Sequence, residues 1–108
     1  MENFKKYPRT FHLPWSQALT SDDKLLKSLS VLEKSEVIVT LKMDGENTSM
    51  YHNGIHARSM ESKHHWSRNW VKQLQGQLAH LIPESLRICG ENLYGKHSIG
   101  YDNLSSYF

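Results

Sequence analysis

Four consecutive residues, Lys42-Met43-Asp44-Gly45, combine types that can do covalent phosphate chemistry. A lysine amine is a nucleophile only when unprotonated. Its ordinary pKa is about 10.4, so at pH 7 only about one molecule in a few thousand carries a free amine. Burial, or nearby cations such as a metal ion, would free more of it. A lysine where a strand ends, followed by a short polar residue and a glycine, is well placed for such tuning at the lip of a pocket. Gly45 lets the backbone turn and leaves room for a phosphate to approach. Asp44 is suited to orienting the amine or recruiting a metal. Taken alone, such a four-residue match far more often marks a solvated charge beside a turn.

Two further places weigh against that bland reading. "HARSME" sets Arg58 on a strand across a hairpin from the one that follows the lysine. "CGENLYG" sets Glu91 at the end of another strand, inside a glycine-bounded turn. Each alone is ordinary. Lysine, then arginine, then Gly-Glu, in that order and each in a strand context, form a set.

The elements that must position these residues follow from pattern. Residues 6–19 are aromatic and proline-punctuated, an irregular lead-in. In "TSDDKLLKSLSVLEK", Thr20 and Asp23 stand in capping-box spacing and Leu25, Leu29 and Leu32 fall on one face, which predicts a helix. Strands are predicted over Glu36 to Lys42 and Asn47 to His52. Asn53-Gly54 is the strongest short hairpin signal, so Ile55 to Ser59 should pair back as a third strand. From Ser67 to Ile82, Trp70, Leu74, Leu78 and Leu81, with Trp66 just before, recur at helical spacing until Pro83. Gly76 weakens that helix slightly. "SLRICGENLYG" reads as a further strand, and "KHSIGYDNLSSYF" as loop until its final aromatic pair. The order predicts an α+β fold, an antiparallel sheet with flanking helices.

The 108 residues suggest one domain with a modest core. Composition is that of a soluble globular protein, 38% hydrophobic and 22% charged. The net charge of +2 permits nucleic-acid binding without showing it. The first ten residues lack the apolar core of a signal peptide, and no run approaches a membrane span, so no membrane association is expected. With Cys89 the only cysteine, no intramolecular disulfide is possible and the cytoplasm is the expected location. Ser106-Tyr107-Phe108 reads as the start of another strand, which suggests the front part of a larger domain.

Several other patterns invite chemistry. Gly90 to Lys96 fits G-x-x-x-x-G-K, but His97 follows where a P-loop needs Ser or Thr, and the next residues make a poor helix. His52 and His56 flank a turn and His64-His65 are adjacent, with no third ligand at metal spacing. No metal-ligating residue is therefore assigned. Cys89 reads as a small packed hydrophobe. Trp66 and Trp70 read as helix core rather than a base-stacking platform. "KKYPR" and "RTFHLPW" mix basic and aromatic residues, suited either to touching nucleic acid or to capping the domain.

The ordered set resembles the ATP-dependent RNA ligase family of the covalent nucleotidyltransferases, the superfamily that also holds DNA ligases and mRNA capping enzymes. Its hallmark Lys-x-Asp-Gly stands here as Lys42 to Gly45. Asn47 matches an asparagine common in RNA ligases, Arg58-Ser59 the next motif, Gly90-Glu91 the Gly-Glu motif, and "NLYGKHSI" is also similar. The likeness runs from about Lys6 to Phe108. It implies a partial nucleotidyltransferase (ATP-grasp-like) domain spanning residues 1–108. It implies that Lys42 attacks the α-phosphorus of ATP to give lysyl-AMP, with Mg²⁺ offsetting phosphate charge. Asp44, Gly45, Asn47, Arg58 and Glu91 would bind the nucleotide. Arg58 would meet phosphate, Glu91 a ribose hydroxyl, and Asn47 either of these. Tyr107 or Phe108 would stack on adenine, with Phe108 preferred. AMP would then pass to an RNA 5′-phosphate, and a 3′-hydroxyl would displace it to seal the strand, as in RNA repair. Two features differ from the family. Leu41 stands where many RNA ligases have an acidic residue, and the later acidic and lysine-bearing strands are not in this sequence. They support an alternative: a degenerate ligase-like module that binds nucleotide or RNA without complete catalysis, or one completed by a C-terminal half or partner chain.

Overall fold

The computed structural model describes residues 4–17 and 20–108. The chain packs as two units, one of Met1–Tyr7 with Lys42–Phe108 and one of Pro8–Leu41. The larger unit is α+β. Its sheet has the order β2-β1-β3, with β1 at Glu46–Tyr51, β2 at Gly54–Ala57 and β3 at Ile88–Asn92. Both neighbours run antiparallel to β1.

The hairpin forms where expected, but one residue earlier. Tyr51 pairs with Gly54, so the two-residue turn is His52-Asn53, and Gly54 already belongs to β2. Gly54 has a negative φ and is not the turn's special residue. A Cβ there would lie 2.8 Å from the Phe4 ring, so close packing is what demands glycine.

The second predicted helix is present as a 3-10 turn at Trp66–Arg68, helix α2 at Asn69–Leu78 and a further 3-10 turn at Ala79–Leu81. Pro83 follows, since proline cannot donate the next backbone bond. Helix α2 lays its apolar face on the sheet. Met50, Val71 and Ile82 form the buried cluster, with Ile55, Trp70, Leu74, Leu78 and Phe108 packed against it. Burying each such side chain contributes roughly 1.5–3 kcal/mol.

Side chains alternate along β1, so Glu46, Thr48 and Met50 face α2 and Asn47, Ser49 and Tyr51 face away. The far face is covered at its Tyr51 end. Phe4 stacks on Tyr51 with centroids 4.2 Å apart, and His56 lies against both rings. The Tyr51 hydroxyl accepts from the Lys5 N–H at 3.0 Å and from Arg87 at 3.2 Å. The other end of that face carries Asn47.

In the smaller unit the expected helix after Thr20 does not form as a whole. Only Ser30–Glu33 is helical, as α1. The Thr20/Asp23 signal is real: the Thr20 N–H donates to the Asp23 carboxylate at 2.6 Å. The backbone that should continue the helix is used elsewhere, because His12 N–H donates to Lys24 O and Leu26 N–H to His12 O, at 2.7 and 2.8 Å. The expected strand at Glu36 to Lys42 also fails to form. Ile38, Val39 and Leu41 are at least 84% exposed. An apolar run supplies the side-chain pattern of a strand, but a ladder needs a neighbouring edge, and among the described residues none pairs with it. The lead-in over residues 6–19 is irregular as far as Gln17 apart from one bridge at His12, and its last two residues lie outside the described ones. Among the described residues no helix is long and apolar enough to cross a membrane.

Candidate active site

The register of the sheet builds the site. Asn47 pairs with Glu91 on β3. Thr48 pairs with Ala57, the last residue of β2, so the strand expected to reach Ser59 stops short and Arg58 is the first residue past it. By strand alternation Asn47 and Glu91 occupy one face, the one turned away from α2, and the Arg58 charge acts to lower the Glu91 pKa.

Two acceptors there are orphaned. Asn47 Oδ1 and Glu91 Oε2 are buried and have no hydrogen-bond partner. Leaving a buried acceptor unmade costs about 1–3 kcal/mol, and such exceptions call for an explanation. Both atoms accept only, so the missing partners are donors such as hydroxyl groups.

Burial raises the Glu91 pKa above the usual carboxylate range. Lys42, His97 and Arg58 pull it down and Asp44 pushes it up, which shows that these charges lie close enough to be felt. Lys42 and Arg58 are exposed, and among the described residues neither is in an ion pair. Two uncommitted cations beside two orphaned acceptors suit a phosphorylated, hydroxyl-bearing ligand.

The Lys42–Gly45 loop is held from three sides. The Asp44 N–H donates to the Tyr101 hydroxyl at 2.7 Å, and the Asp44 carboxylate accepts from the Ile99 N–H at 2.9 Å. One carboxylate oxygen is thus committed to the backbone. Gly45 lies so close to β3 that a Cβ would sit 2.6 Å from the Asn92 carbonyl oxygen. Glu46 is gripped by Arg68 in a two-pronged ion pair at 2.6 and 2.7 Å, which lowers the Glu46 pKa.

Phe108 is not brought into this group. Gly90 pairs with Thr48 and so shares its α2-facing side, where the Phe108 ring fills the slot left by the missing side chain. The ring joins the Met50 cluster instead of facing Asn47 and Glu91. Cys89 is exposed rather than packed, its Sγ 3.5 Å from Ser49 Oγ. Trp70 is half-buried as expected, whereas Trp66 is 62% exposed. Residues 90–96 form a strand end and a loop, with no helix to complete a P-loop. Tyr101 and His97 carry no sequence signal for their positions, because a loop of this kind has no period that places its side chains.

Among the described residues no group of three or more His, Cys, Asp or Glu is placed to hold a metal ion. Comparison with known families is decisive at one level. The chain belongs to the RNA ligase family, whose profile, described as RNA ligase, matches residues 35–108. That span contains Lys42, Arg58 and Glu91. No curated protein gives a significant match, and no solved structure does.

Proposed function

We propose that this chain is the lysine-bearing part of an ATP-dependent RNA ligase, within an adenylyltransferase domain of nucleotidyltransferase type. The carrying observation is the pair of orphaned acceptors, Asn47 Oδ1 and Glu91 Oε2, set among the cations Lys42 and Arg58. A ribose offers hydroxyl donors for the first two and a triphosphate offers charge for the second two. Family membership supports ATP and RNA ends as the substrates.

The Lys42 amine, after losing a proton to solvent, attacks the α-phosphorus of ATP. A P–N bond forms and the bond to pyrophosphate breaks, leaving AMP on Lys42. Arg58 meets developing phosphate charge with its planar fork. Glu91 accepts from a ribose hydroxyl and Asn47 from the second donor. Asp44 and Gly45 hold the loop, one through hydrogen bonds and the other by fitting against β3. Stacking on the base is not assigned to Phe108. Mg²⁺ is commonly bound through one or two carboxylates, waters and substrate phosphates, and Asp44, one of whose carboxylate oxygens accepts from the Ile99 N–H, is the carboxylate beside the lysine that would help to hold it. When bound it would offset phosphate charge. Transfer of AMP to an RNA 5′-phosphate and sealing by a 3′-hydroxyl complete the proposed reaction.

The test is incubation of the protein with α-labelled ATP and Mg²⁺, followed by denaturing electrophoresis. Wild type should carry label and Lys42→Ala none; label on Lys42→Ala refutes the nucleophile. A second reading, nucleotide or RNA binding without adduct formation, is favoured by Leu41, an exposed apolar side chain beside the lysine that can accept no hydrogen bond. Saturable ATP binding with no adduct would select it.

A further inference from the structure

On the α2-facing side of the sheet, where Glu46 pairs with Asn92, lies a concavity of about 720 Å³, walled by the segment Lys63–Arg68 on one side and Gly95–His97 on the other. Among the described residues its only carboxylate, Glu46, is paired with Arg68. Asn92 closes the floor by donating to the Ser67 carbonyl. Lys63 and Lys96 remain as charges with no carboxylate in ion-pair range among the described residues. His64 accepts from Lys72 through Nδ1 at 2.5 Å, which adds the Lys72 charge beside the groove.

Trp66 stands in the same wall with its indole 62% exposed. The ring is not loose. Tyr94 meets it edge-on at 6.0 Å, His65 tilts against it at 5.4 Å, and the His65 side chain caps the turn that begins at Trp66. An immobilised aromatic surface left in water is unfavourable until something flat covers it. His97 lines this groove, in the loop that follows the strand bearing Glu91.

We infer that this groove is a track for single-stranded RNA, with Lys63 and Lys96 on the phosphates and Trp66 stacked on a base. Basic residues beside a fixed aromatic surface are the arrangement that binds single strands. The inference rests on the ligase reading for its choice of RNA, and its geometry is separate from the Lys42 face. The test uses the intact protein and a labelled oligouridylate, with affinity measured by anisotropy across a salt series. Lys63→Ala combined with Lys96→Ala should reduce the slope of log affinity against log salt by about 1.4, at about 0.7 per phosphate contact on a single strand. Trp66→Ala should weaken binding about 5- to 160-fold, with Trp66→Phe restoring most of it. Both sets of variants should still form the lysine adduct at near wild-type rate. An unchanged salt slope, or Trp66→Ala binding as tightly as wild type, overturns the track. A wild-type chain that binds RNA through this groove but forms no adduct strikes at the ligase reading alone.

Discussion

Replacing Gly45 and, separately, Gly76 with alanine makes one chemical change at two places, with opposite expected effects. At Gly45 the new Cβ would lie 2.6 Å from the Asn92 carbonyl oxygen and 2.7 Å from Leu93 Cδ2. Real Cβ atoms essentially never come within 3.0 Å, so something must move by 0.4 Å or more. The carbonyl belongs to β3 and cannot swing aside as a side chain can. The loop cannot retreat freely either, because Tyr101 holds Asp44 and Arg68 holds Glu46. Overpacking of this kind costs about 1–3 kcal/mol. At Gly76, on α2, no atom lies within 4 Å of the added Cβ, so alanine should stabilise by about 0.5–1 kcal/mol through helix propensity. Urea unfolding of both variants measures the contrast as opposite shifts of the midpoint at constant slope. Gly45→Ala should also form the lysine adduct up to about 100-fold more slowly, since a shift approaching 1 Å at the reacting group has that scale of effect. A Gly45→Ala protein as stable and as active as wild type would refute the reasoning.

Three other outcomes follow from the same geometry. Burial raises the folded-state pKa of Glu91, so its ionisation opposes folding: the stability it contributes is complete below the unfolded pKa and is lost as pH rises through the folded one. Glu91→Gln should therefore be at least as stable as wild type at pH 7, with the advantage gone near pH 4, and it should bind ATP more weakly; lower stability at pH 7 contradicts this. Arg68 has the opposite sign of effect. It lowers the Glu46 pKa, giving stability present above the unfolded carboxylate value and lost as pH falls through the folded one. Arg68→Ala should lose about 1–2 kcal/mol at neutral pH and show a flatter acid limb in urea unfolding. Tyr101→Phe removes the acceptor for the Asp44 N–H and should slow adduct formation several-fold while changing ATP affinity less, as single-turnover labelling would show.

Residues whose signals are local were well read from the sequence. Pro83 stops the α2 segment, and the helical spacing of Trp70, Leu74 and Leu78 marks the face that packs on the core, although Val71 is its buried residue and Leu81, expected on the same face, is 67% exposed. Asn53-Gly54 announced a hairpin, though the turn is centred one residue earlier and Gly54 is needed for the Phe4 contact. The same kind of reasoning failed after Thr20, where the cap formed but His12 took the backbone groups of Lys24 and Leu26. It failed again at residues 36–42, where apolar pattern was present and a partner edge was not. The family resemblance suggests that Phe108 stacks on adenine, whereas its ring lies over Gly90 on the α2 side. The spacing of Trp66 suggests core, yet it begins the 3-10 turn and is 62% exposed.

By itself the sequence determined which chemical groups exist and in what order: Lys42 before Asp44-Gly45, Arg58 past a hairpin, and Glu91 at the end of a later strand. The resemblance of these motifs to the RNA ligase family was legible there too, and the family profile matches residues 35–108. Only the tertiary structure decided which of these groups share a face. That choice depends on the pairing of Asn47 with Glu91 and of Thr48 with Ala57, and a one-residue slip would turn each side chain to the other side of the sheet. It also depends on segments distant in sequence, such as Tyr101 on Asp44 and Phe4 on Tyr51, whose contacts no local period encodes.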